Sequence, residues 1–428
     1  MWFSALTLAG MTLAVGCAAF RSGGLPQGNL NPSIFIAGLT SLASWTAPDR
    51  SRVRLARVTL WLLLALLGWA GLQLLFSVKP SATLLHVFRI ATYAAVFLFA
   101  WDLGRRHRSR PWIPALPIIL IALLEAVLGL VQVHGGGAGL ASGTYPNRNH
   151  FAGLLGMALP FALLLPVSIL KSSPHRFHSP ARPAILACVL FSFAAALLLG
   201  ILYSLSRGGY LSALASLFVT GALALGRSGI RKWLPLGLMA VLVILAFIFL
   251  PTDQLIARFA DIASTDDITA DERARVWSET LRLIAAYPVI GCGLGAYESG
   301  FYRFKTVAPL STVDFAHNDY LQILAEFGLI GFLLLAALLI RALVRVFRAT
   351  LGHGPQRYLA IACGGSLTAI LLHSFVDFNL YIPANAMVLA WVAGIAEALP
   401  APSPELADLW DAASPRRAGG ASPSRGLL

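Results

Sequence analysis

The sequence predicts an all-α polytopic membrane protein with about twelve transmembrane helices, and three observations predict it. The 428 residues are 57% hydrophobic and only 12% charged, about half the charged fraction of a soluble domain. The apolar residues fall in runs close to the roughly 20 that cross a hydrocarbon core of about 30 Å. Lys and Arg also alternate in density from one connection to the next, as the positive-inside rule requires.

The stretch from Trp2 to Phe20 is long enough to span. With no basic leading segment and no small-residue cleavage site, it reads as a retained helix rather than a signal peptide. Further spans follow at 33–46, which is short for a crossing, and at 57–76, 83–103, 112–133, 149–170, 183–203, 209–226, 233–250, 320–342, 358–374 and 385–399. With both termini cytoplasmic, the inner connections hold 21 Lys and Arg and the outer ones 10, six of them in one long loop. The net charge of +13 is therefore a topology signal, and no nucleic-acid partner follows from it. Residues 1–250 carry helices one to nine, 251–319 form an outer loop subdomain, and 320–399 carry helices ten to twelve. The tail 400–428, rich in Pro, Ala, Ser, Gly and Arg, is expected to be disordered. Cys17, Cys188, Cys292 and Cys363 show no CxxC pairing and imply neither a zinc site nor a disulfide framework.

Within the long loop, Thr269-Ala-Asp-Glu272 reads as a capping box, and Trp277, Leu281 and Ile284 follow at helical spacing. An amphipathic helix over about 270–286 is expected along the outer membrane surface, ended by Pro288, Gly291, Gly293 and Gly295. That GxGxG does not sit between a strand and a helix, so it reads as backbone turning rather than nucleotide binding. The two halves show no convincing repeat, which counts against the repeat-built secondary transporters.

Polar clusters mark the outer helix ends at Gly143-Thr-Tyr-Pro-Asn-Arg-Asn-His150, at Ser204-Leu-Ser-Arg-Gly-Gly-Tyr210, around Arg273 and Arg275, and at His317-Asn-Asp319. Taken singly, each fits interfacial snorkelling or helix capping. Together they place Arg repeatedly where a helix begins, on the side that the topology rule leaves poor in basic residues. Arg207 followed by Gly208 and Gly209 sets a guanidinium beside backbone N–H groups near a helix N-terminus, which suits phosphate oxygens and makes a diphosphate a natural ligand. His317 can titrate near neutral pH and precedes a long apolar helix, with Asn318 and Asp319 as capping groups. Arg89, Glu125 and Glu326 lie at a shared depth, roughly 10 Å inside their spans. Intramembrane charges pair or line wet cavities, so Arg89 is expected to pair with Glu125 on the floor of an outward-open cavity. There is no HExxH and no DxD, and Asp266 and Asp267 have no nearby His, so a metal-independent, cofactor-free mechanism is expected.

The segment from His317 to Gly331 resembles the H-[NSQ]-x9-G-x-x-G signature of the O-antigen ligase and polymerase superfamily. Arg207-Gly-Gly-Tyr-Leu211 resembles its R-x3-L element, and Arg273-Ala-Arg-Val-Trp277 with Pro288, Gly291 and Gly293 resembles its R-x3-W and P-x-x-G-x-G stretch. Gly143 to Asn149 and His373-Ser-Phe-Val-Asp377 match in position and style, while Phe332 stands where the family often has Thr. The resemblance covers about residues 80–395.

It implies a GT-C-type glycosyltransferase whose long periplasmic loop lies between helices nine and ten. It further implies transfer of a glycan from undecaprenyl diphosphate to a lipid A core sugar or to a second lipid-linked glycan, at the inner membrane and facing the periplasm. In that reading Arg207 and Arg273 neutralise the diphosphate leaving group and His317 orients or deprotonates the acceptor hydroxyl. Arg148, Asn149, Tyr210, Asp319 and Arg89 are candidates for glycan or phosphate contacts. A protein hydroxyl as acceptor, or transport of a small anion, are the alternatives.

Overall fold

A computed structural model of the protein describes residues 2–25, 27–45, 55–135, 139–172, 181–225, 270–306 and 313–400. All regular structure among them is helical. The helices are α1 Trp2–Ala19, α2 Gln27–Trp45, α3 Arg57–Leu72, α4 Pro80–Arg106, α5 Leu116–His134, α6 Arg148–Ser172, α7 Ala181–Tyr203 and α8 Arg207–Leu225. There follow α9 Ala270–Ala286, the short α10 Tyr297–Phe301, α11 Asp319–Thr350, α12 Gly354–His373 and α13 Pro383–Ala398. Six of these, α3 to α7 and α11, are long and apolar enough to cross a membrane, two of them with short 3-10 extensions. The chain is a multi-pass, all-α membrane protein. Eleven of the twelve expected spans coincide with helices; the twelfth, 233–250, lies outside the described residues, as do Thr269 of the capping box and the tail from 401.

Two elements differ from expectation. Residues 33–45 belong to a 19-residue helix that starts at Gln27 and takes Pro32 inside its first turns, so the helix is longer than the expected span, although α2 is not one of the six apolar ones. The helix expected over 320–342 runs on to Thr350 and is broken at Gly328, where φ is 66° and ψ is −177°.

The layout follows from which helices are apolar all round. In α6, 78% of the apolar stretch is buried inside the protein, against 28% in α7. Phe151, Leu154, Leu155, Met157 and Phe161 make α6 the central post, contacted by α7, α8 and α12, while α13 lies along α4. The exposed Ile185, Val189 and Phe191 of α7 are what a lipid-facing helix needs.

The helix ends gather at two levels. At one, α11 begins where α12 ends, with the Asp319 amide donating to the Ser374 carbonyl, and the 139–147 segment is tied to α7 by the Ala141 amide on the Tyr203 carbonyl. At the other, Arg341 and Arg345 of α11 bond Glu397 and the end of α13, and Gln356 reaches the Arg108 carbonyl.

Candidate functional site

Three arginines stand in the first turns of three different helices. Asn147 caps α6 by accepting from the Asn149 amide at 2.7 Å, which leaves Arg148 as the first helical residue. Ser206 does the same for α8 by accepting from the Gly209 amide at 3.1 Å, after a turn in which Leu205 adopts φ 53°. Arg207 is the first residue of that helix. Gly208 and Gly209 are also close-approach positions: a Cβ at Gly209 would lie 2.7 Å from that of Ala152, and one at Gly208 would meet His373 and Val376. Arg273 sits in the first turn of α9.

These side chains meet. Arg148, Asn149, Arg207, Gly208 and Arg273, with Leu205, His373, Val376 and Asp377, line one small polar cleft of about 30 Å³. Among the described residues, neither the Arg207 nor the Arg273 guanidinium makes a hydrogen bond or ion pair, and the Arg273 Nε is buried without a partner. Cations at helix N-termini oppose the helix dipole, so the arrangement is unfavourable by itself and is relieved by an anion.

His317 adjoins the cleft through Asp377. Its Nδ1 is 3.7 Å from the Asp377 carboxylate, longer than a hydrogen bond, and its ring stands edge-on to Phe378 at 4.9 Å between centroids. The backbone there is left-handed, φ 48°, an uncommon conformation for a side-chain-bearing residue that concentrates at functional positions. Burial alone would raise the Asp377 carboxyl, but His150, the His317 ring and His373 outweigh it and hold it well below the ordinary carboxylate range. Asn318 caps α11 by accepting from the Tyr320 and Leu321 amides. Four residues after Arg273, Trp277 donates to the Ala316 carbonyl at 2.9 Å, tying the arginine helix to the residue before His317. On the same helix Leu281 is 56% exposed, whereas Val276 and Leu283 are buried.

The break in α11 explains both glycine patterns. At Gly328 the helix frees backbone groups, and the 288–293 segment takes them: the Leu329 amide donates to the Pro288 carbonyl, and the Cys292 and Gly293 amides donate to the Ala325 and Glu326 carbonyls. A Cβ at Gly291 would lie 2.2 Å from the Glu326 carbonyl oxygen. The Glu326 carboxylate then accepts from the Gly295 and Tyr297 amides, the Tyr381 hydroxyl and the Gln322 amide.

Three expected site residues lie elsewhere. Asp319 is fully buried and accepts from the Leu380 amide. The Tyr210 hydroxyl donates to the Leu202 carbonyl and closes the turn between α7 and α8. Arg89 lines a separate apolar cavity beside His86, 3.3 Å away. The expected pair between Arg89 and Glu125 is not formed. Glu125 instead accepts from the Thr144 amide and hydroxyl, because Gly143, at φ 57°, brings the 139–147 segment down against that carboxylate. His373 and Asp377 matched the family pattern in position and style but were not among the expected site residues; both line the cleft, His373 as the last residue of α12 and Asp377 four residues beyond it.

Residues 190–336 match the family model described as O-antigen ligase, a stretch that begins in α7 and ends in α11. It includes Arg207, Arg273, His317, Gly328 and Gly331, and excludes Arg148 and Asp377. No curated protein matches the chain.

Proposed function

We propose that this protein, whose residues 190–336 match the O-antigen ligase family model, moves a glycan from undecaprenyl diphosphate to an acceptor hydroxyl on lipid A core or on a second lipid-linked glycan. The convergence of Arg148, Arg207 and Arg273 on one cleft beside His317 carries the reading. The diphosphate lies across the guanidiniums, which meet the charge that grows on its bridging oxygen as the anomeric C–O bond breaks. His317, oriented by Asp377 and Phe378, takes the proton of the acceptor hydroxyl as that oxygen attacks the anomeric carbon from the opposite face. One C–O bond forms as one breaks, and the configuration inverts. Asp377 keeps its negative charge and favours the imidazolium.

The fold belongs in this reading to the twelve-helix GT-C type. The cleft faces the periplasm from the inner membrane with both termini cytoplasmic, as the density of Lys and Arg on the opposite connections supports.

The test is purified protein with an undecaprenyl diphosphate glycan and lipid A core. Product formed by wild type and lost in Arg207→Ala, Arg273→Ala and His317→Ala, at normal membrane levels, is expected. Product only when a second glycan lipid is supplied identifies a polymerase. Full transfer by any of the three variants removes that residue from the mechanism.

A further inference from the structure

A second cavity, of about 200 Å³, lies between α3, α4, α11 and α13. Its α4 wall is a helical stripe, His86, Arg89, Ile90, Tyr93, Ala94 and Phe97, which extends about 16 Å along the helix axis at about 1.5 Å per residue. The polar members cluster at the start of that stripe, where Tyr381 lies 6.4 Å from His86 between ring centroids. From Ala94 onward the walls are apolar, including Leu63, Leu335 and Ala393. An elongated apolar slot inside a membrane-spanning bundle, with a guanidinium at one end, is complementary to one hydrocarbon chain under an anionic head group.

The slot is separate from the arginine cleft, yet both touch one short segment. His373, Val376 and Asp377 line the cleft; Leu380 and Tyr381 line the slot. Between them stands an aromatic partition: His317 against Phe378, Phe378 stacked on Phe315 at 4.0 Å, and Phe315 against Tyr381. The donor's polyprenyl tail, continuous with a diphosphate held in the cleft, would have to thread this partition to reach the slot. A second lipid, approaching His317 from the other side, does not.

We propose that the slot seats an acyl chain of a phosphorylated acceptor lipid, with Arg89 and His86 meeting its head group; the identification as acceptor rests on the glycan-transfer reading. On this view Arg89 binds the acceptor rather than the donor diphosphate.

The test uses wild-type protein in nanodiscs with phosphatidic acid carrying a diazirine on one acyl chain, and adducts mapped by peptide mass spectrometry. Adducts are expected on α4, α11 and α13, falling at least fivefold in both Ala390→Trp and Leu338→Trp, whose rings fill the slot. Arg89→Gln should lower the preference for phosphatidic acid over the phosphatidylcholine analogue at least threefold. Adduct yields unchanged in both tryptophan variants, each eluting as a folded monodisperse protein, overturn the proposal. So does loss of undecaprenyl diphosphate glycan binding in Ala390→Trp, because it places the donor's tail in the slot. Failure of the transfer reading is separately visible as absence of glycan product from wild type while the adduct map stands.

Discussion

A guanidinium in the first turn of a helix is repelled by the helix's positive end, and Arg207 and Arg273 also share a cleft with each other and with Arg148. Such residues cost stability in the empty protein. Arg207→Gln is therefore expected to abolish transfer, by about 100-fold or more, while leaving the melting temperature unchanged or raising stability by about 0.3–1 kcal/mol. Thermal denaturation alongside turnover checks this, and a fall in both would make Arg207 a structural residue. Arg207→Lys should lose most activity too, because a point charge does not reproduce the planar fork. Asp377 makes the opposite prediction for binding. Its carboxylate lines the arginine cleft and faces His317, so Asp377→Asn should lower kcat about 10–100-fold, as removal of an orienting partner does, with donor affinity equal to or tighter than wild type. A titration of donor binding against turnover separates the two effects.

At the scale of elements, Arg148, Arg207 and His317 were legible because they stand at the starts of apolar runs, and Arg273 because it opens an amphipathic helix, all on the side where topology leaves few cations. Glu125 was misread as the partner of Arg89, and Glu326 was marked only by its depth in the span; each carboxylate accepts backbone N–H groups from a segment folded back against it. Backbone donors leave no mark in a sequence except the glycines that let them approach, here Gly143 and the 291–295 series. All four partners of Glu326 are donors, so the isosteric Glu326→Gln turns an amide NH2 toward N–H or O–H groups and should cost about 2–3 kcal/mol. Gly328→Ala should cost at least as much: its φ 66° and ψ −177° suit only glycine, and a Cβ there would lie 2.3 Å from the Val289 carbonyl oxygen. Limited proteolysis in the 288–297 segment, together with the melting temperature, reads out both.

Across the whole molecule, periodic apolar runs announced nearly every helix, but not which helices touch. The ends of α11 illustrate the difference. One end holds His317 and the glycine-laced latch. Toward the other, about 33 Å along the helix at about 1.5 Å per residue, stands Arg341, whose guanidinium pairs with Glu397 of α13 at 2.8 Å and also donates to Thr59 of α3. Glu397 is 4% exposed, and the sequence presents Arg341 only as one more topology-setting cation. Its structure gives it a second role, joining three helices. Arg341→Ala leaves a buried carboxylate without its cation and should destabilise by about 3–5 kcal/mol. The double variant Arg341→Met, Glu397→Leu removes both charges and should recover most of that loss, since a buried ion pair often does no better than well-packed apolar groups. If α11 acts as a rigid post below its break, turnover per folded molecule at low temperature stays at the wild-type level in both variants. A large drop in turnover without a drop in melting temperature would instead mean that the far end of α11 sets the position of His317.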